Sequence, residues 1–122
     1  MIAPVSYGIL SHFREWSESL ARLEQMDGVK VIVPGHGPVL SSWDYVRSEK
    51  ALIDALLSQV RSAMRAGFVD ANQVDSVRKR VDLSRFAAEM AGNDFSRQWA
   101  FKNYFLTPAI PRAFEELRSE SF

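Results

Sequence analysis

Apolar residues recur at three- and four-residue steps from Phe13 onward: Phe13, Trp16, Leu20 and Leu23, with Met26 just beyond. That step puts them on one face of a helix running from Phe13 to Gln25. Ser11 stands before it as a cap, and Asp27-Gly28 ends it. The pattern then changes. Val29-Lys30-Val31-Ile32-Val33 is short and β-branched, and predicts a buried strand. A strand cannot satisfy its own edges, so this one is expected to pair with others. No later stretch predicts a second strand.

Downstream the helical step returns. Trp43, Val46, Ile53, Leu57, Val60 and Met64 form one stripe, widened by Leu52 and Leu56. They predict a helix from Trp43 to Ala66, capped by Ser41 or Ser42, ended by Gly67, and ~36 Å long at ~1.5 Å per residue. Asp70 with Gln73 three residues on, and Val69 facing Val74, mark the start of the next helix, whose stripe is Val74, Val77 and Val81. A short segment through Leu83, Phe86 and Met90 stops at Gly92-Asn93. Asp94 caps an aromatic helix bearing Phe95, Trp99, Phe101, Tyr104 and Phe105. Ile110, Phe114 and Leu117 face one side of a last helix opened by Thr107-Pro108, although Pro111 predicts a start three residues later. Met1 to Ser11, broken by Pro4 and Gly8, reads as a loop or frayed edge segment. So unanchored a lead suggests that further sequence precedes it.

Composition narrows the classes. A chain of 122 residues, 47% hydrophobic and 25% charged, suits one small globular domain and is too apolar for disorder. Fifteen basic residues balance fifteen acidic ones, without the cationic excess that phosphate binding needs, so no nucleic-acid partner is expected. With no cysteine, disulfide scaffolds, thiolate zinc sites and cysteine nucleophiles are excluded. No basic leader opens the chain and no stretch is apolar enough to span a bilayer, which predicts a cytoplasmic protein without a membrane partner.

Candidate chemistry gathers at the end of the predicted strand, in Pro34-Gly35-His36-Gly37-Pro38. A histidine just past a strand end has a fixed backbone and an exposed ring. Gly35 and Gly37 allow positive φ and leave room for a metal. Neutral imidazole is a common zinc ligand. A turn in which His36 bonds a carbonyl is the competing reading, and for a lone histidine the commoner one. Elsewhere His12 reads as solvated or capping, and Asp27 beside Gly28 as a turn residue. Arg78-Lys79-Arg80, between Asp75 and Asp82, reads as the wet face of a helix. The aromatic helix reads as core. No Ser/His/Asp arrangement, Walker loop or dinucleotide glycine pattern is present, and no catalytic residue is identifiable.

The run Val31-Ile32-Val33-Pro34-Gly35-His36-Gly37-Pro38-Val39 resembles the last metal-binding motif of the metallo-β-lactamase-fold hydrolases. Trp16-x-x-Ser19-Leu20-x-x-Leu23 and Asp27 resemble the approach to it, and the later helices resemble the C-terminal extension of many members. The resemblance is specific over roughly the first forty-five residues. It implies that His36 ligates a metal at the second position of a dinuclear, usually zinc, site, with Pro34, Gly35 and Gly37 shaping the loop. It also implies an α/β fold, the C-terminal part of an αβ/βα sandwich: one short strand and five or six helices. Residues 1–42 would be an αβ segment carrying the ligand loop and 43–122 a helical extension, both belonging to one larger domain. Tyr7, with Ser6, would lie where a substrate contact is conceivable. The implied activity is attack of a metal-held hydroxide on an ester, thioester, lactone or amide carbonyl of a small-molecule substrate.

The family's His-x-His-x-Asp-His loop, further histidine and bridging aspartate are missing. The chain alone is therefore expected to bind zinc weakly and to be inactive. The alternative from another class is a non-catalytic helical module that binds a protein through its aromatic face. A homodimer through the terminal helices is a third option.

Overall fold

The computed structural model describes residues 8–120. Six α-helices follow one another: α1 (Phe13–Glu24), α2 (Asp44–Arg65), α3 (Val74–Arg78), α4 (Ser84–Ala91), α5 (Phe95–Ala100) and α6 (Thr107–Glu120). A 3-10 turn, Ala71–Gln73, leads into α3, and a π-helical segment, Phe101–Leu106, joins α5 to α6.

The core belongs to the helices. Leu52, Ile53, Leu56, Leu57 and Val60 of α2 are buried, as the stripe predicts, while Trp43 and Met64 at its ends are only half-buried. Against them pack Phe13 and Leu20 of α1, Val77 of α3, Phe101 and Phe105, and Ile110, Phe114 and Leu117 of α6. Phe13 meets the edge of Phe105 with ring centroids 6.4 Å apart. The aromatic helix is thus divided: Phe101 and Phe105 are core, whereas Phe95 and Trp99 are exposed.

Local start signals hold for the later helices, whereas Ser11 does not cap α1, whose N-cap position is His12. Gln73 closes a capping box with Asp70, its Oε1 accepting from the Val69 and Asp70 N–H groups at 2.9 Å. Asp94 accepts from the Arg97 N–H at 3.0 Å, and Ser42 accepts from that of Asp44 at 3.3 Å. Gly67 (φ 102°) takes up the left-handed conformation that ends α2, and Gly28 (φ 75°) turns the chain three residues beyond Gln25, the C-cap of α1.

Two expectations are overturned. The α/β sandwich is not observed: among the described residues there is no sheet, and the fold is all-α. The predicted buried strand Val29–Val33 reduces to a single antiparallel pair, Ile32 with Leu40. Val31, Val33 and Val39 stand 58, 77 and 64% exposed. A β-branched run is a strand only where another strand pairs with it, and the helices bury one another without it.

A further correction is at Pro111. α6 begins at Thr107 rather than three residues later, with Pro111 inside it. Nor is the lead into α1 unanchored throughout: Gly8 is buried, and its N–H donates to the Tyr104 carbonyl at 3.1 Å.

Candidate functional site

His36 lies at the tip of a ribbon formed by the chain between α1 and α2. Ile32 and Leu40 exchange both main-chain hydrogen bonds, each 2.9 Å, which closes the loop that carries the histidine. Ile32 is half-buried against the core and anchors the ribbon to the helices. Gly37 has φ 104°, a conformation that a side chain would strain, so a glycine is required after the histidine. Gly35 is not held to a positive φ, and a Cβ there would meet open space. Pro34 is half-buried where the ribbon turns away from Val33.

The imidazole is exposed, and among the described residues it makes no hydrogen bond. The competing reading, a ring bonded to a carbonyl, is therefore not what is found. Nor are other ligands near: no group of three or more His, Cys, Asp or Glu side chains that could hold a metal occurs among the described residues. His36 suits one coordination position, and the described residues do not complete a centre. Cavities of about 480 Å3, beside Leu83 and Phe101, and about 530 Å3, beside Gln59 and Arg80, lie elsewhere in the helical body, and His36 lines neither. Tyr7 and Ser6 lie outside the described residues.

The remaining candidates are structural. The His12 backbone carbonyl accepts from the Trp16 N–H at 2.9 Å, so His12 opens α1, but its ring does not cap the helix. That task falls to Glu116. Its buried carboxylate accepts from the N–H of Phe13 at 2.8 Å and of Arg14 at 3.1 Å. Those two donors belong to a helix N-terminus, where a negative charge is also favoured by the helix dipole. Arg112 Nε donates to the Ser11 carbonyl at 3.0 Å, and its Nη2 lies 3.4 Å from His12 Nδ1. Asp27 is exposed in the turn before Gly28, as expected. Arg78 and Arg80 are more than a wet face: Arg78 donates to the Thr107 carbonyl and Arg80 lies over the Phe68 ring, 4.4 Å from its centroid. Glu116 and Arg112 carry no local sequence signal, because each acts on residues about a hundred positions away.

Comparison with protein-family models, with curated proteins and with solved structures returns no match. Among the described residues no helix is long and apolar enough to cross a membrane.

Proposed function

We propose that this chain contributes His36 as one ligand to the metal centre of a hydrolase of metallo-β-lactamase type, the other ligands coming from polypeptide outside the described residues. The observation that carries the reading is an exposed imidazole with no hydrogen bond, on a closed loop, followed by a glycine at φ 104°. A histidine kept for packing would be buried or bonded, and this one is neither. The motif Val31-Ile32-Val33-Pro34-Gly35-His36-Gly37-Pro38 supports the assignment by its resemblance to that family's last ligand motif. Zinc ions in such a centre supply Lewis acidity and activated water for attack on an ester, thioester, lactone or amide carbonyl of a small molecule. What this chain does is hold one imidazole clear of competing partners.

The test is reconstitution. The chain is produced together with whatever polypeptide its own reading frame encodes upstream, loaded with zinc and assayed on para-nitrophenyl acetate. The reading expects zinc-dependent turnover that His36→Ala abolishes. Turnover indifferent to that substitution, or a reading frame with no His-x-His-x-Asp-His loop, overturns it.

A second reading, a helical module that binds another protein, draws on the exposed Phe95 and Trp99 of α5. It expects partner binding that survives His36→Ala and fails on Trp99→Ala.

A further inference from the structure

The cavity beside Leu83 and Phe101 takes its walls from the turn before α4, from α4 and from the π-helical segment. It holds about 480 Å3, inside the range of roughly 300–1,000 Å3 in which small-molecule sites fall. Val81, Leu83, Ala87, Phe101 and Leu106 make most of its lining apolar. The π-helical wall is unusual backbone, of a kind that recurs beside functional sites.

Hydrogen bonds at both ends of α4 hold the space open. Gln59 of α2 clamps the main chain of Asp82: its Oε1 accepts from the N–H at 2.6 Å and its Nε2 donates to the carbonyl at 2.9 Å. The Asp82 carboxylate accepts from the Ser84 N–H at 2.9 Å, which fixes the turn into α4. At the far end of α4, Gln98 Nε2 donates to the Gly92 carbonyl at 2.7 Å and ties α5 in place. Walls fixed in this way do not close on the gap, so an apolar occupant gains burial with little ordering of the protein.

The polar groups decide what the occupant is. The Asp82 carboxylate is engaged by both the hydroxyl and the N–H of Ser84. The Gln98 amide nitrogen is engaged by Gly92. Lys102 differs. Its side chain lines the same cavity, and among the described residues its ammonium forms neither a hydrogen bond nor an ion pair. Apolar walls with one uncommitted cation match a molecule with an apolar body and one anionic end.

We propose that this cavity binds a small monocarboxylate with an aliphatic body, such as a medium-chain fatty acid. The chain lies against Leu83, Ala87 and Phe101, and the carboxylate meets the Lys102 ammonium. An amine on the same chain would face Lys102 with like charge, while the acceptor it needs, Asp82, is already bonded to Ser84. This inference does not rest on His36 holding a metal.

The test titrates the full chain with decanoate, decanol and decylamine, each below its micelle concentration, by calorimetry and by amide chemical shifts. Decanoate is expected to shift the amides that line the cavity and to bind about fivefold more tightly than decanol, the upper range for a part-exposed ion pair. Decylamine should bind more weakly than either. Lys102→Met keeps an apolar stem and removes the charge, so it is expected to bring decanoate down to the level of decanol and to leave decanol unchanged. Ala88→Phe fills the cavity from an exposed position on α4, and should weaken decanoate and decanol alike by about tenfold with the helical circular dichroism unchanged. The proposal is overturned if decanoate does not bind, if decanol or decylamine matches it, or if its shifts fall outside the cavity. It is also overturned if the preference for the carboxylate survives Lys102→Met.

Discussion

The N–H of Gly8 donates to the carbonyl of Tyr104 at 3.1 Å, across nearly the whole length of the chain. The helical donor for that carbonyl would sit four residues on, but that residue is Pro108, which has no N–H. The start of the described chain thus satisfies a group that a proline leaves open. The approach is close: a Cβ on Gly8 would lie 2.9 Å from the Ala109 Cβ and 3.0 Å from the Phe105 carbonyl oxygen, with backbone that cannot swing aside. Gly8→Ala is expected to destabilise by about 1–3 kcal/mol, seen as a lower urea midpoint at unchanged slope. A variant as stable as the parent would mean that this contact does not hold in solution.

Pro111 repeats the situation one turn later. It has no N–H for the Thr107 carbonyl, and Arg78 Nη1 donates there at 3.3 Å. Arg78→Ala is expected to cost about 1 kcal/mol in the natural background. Pro111→Ala returns a helical donor to Thr107, so in that background the cost of losing Arg78 should shrink by about 0.5 kcal/mol or more. A double-mutant cycle by chemical denaturation reads the coupling, and strict additivity would count against the arginine's role.

Glu116 ties α6 to the start of α1 by two hydrogen bonds to backbone donors. Removing the carboxylate strands both near the core. Glu116→Ala is expected to cost about 2–3 kcal/mol, at the upper end for a lost cap. Glu116→Gln retains one acceptor oxygen and should cost less. Equal losses for the two would show that packing around the side chain, not its acceptors, is what matters.

His36 should behave in the opposite way. Exposed and without a hydrogen bond, it contributes nothing to holding the helices together. His36→Ala is expected to leave unfolding unchanged within about 0.5 kcal/mol. Zinc added to the chain alone should raise the melting temperature of neither protein, since one imidazole makes no tight site. A zinc-dependent rise lost in the variant would mean that further ligands reach the ion.

How much was legible follows from the range of each signal. The helices are readable because their caps are local: Asp70 with Gln73, and Asp94 before Phe95, lie within a turn of what they satisfy. The strand was misread for the same reason. Four β-branched apolar residues between Val29 and Val33 describe a preference, while burial depends on a neighbour that the described residues lack. Pro111 reads as a break because the chain around it does not reveal that Arg78 takes up the free carbonyl. At the histidine corner the tight turn was foreseeable from Gly37, but the capping of α1 by Glu116, 103 residues from Phe13, was not.

Alkali gives the last prediction. Tyr45, half-buried on α2, has its phenol pushed well above the ordinary tyrosine value, first by burial, then by the charge of Glu49 and a hydrogen bond to it. A folded pKa above the unfolded one means that below about pH 10 both states keep the proton and the contribution is complete. As pH climbs beyond that, the unfolded chain releases its proton first and is stabilised, so the folded state loses ground. Urea denaturation from pH 8 to 12 is expected to show a fall in stability that is shallower in Tyr45→Phe. Below pH 9 the two proteins should differ by a constant offset, because neither titrates at this position there. Parallel curves across the alkaline range would mean that Tyr45 is already open to water and the hold of Glu49 on it is slight.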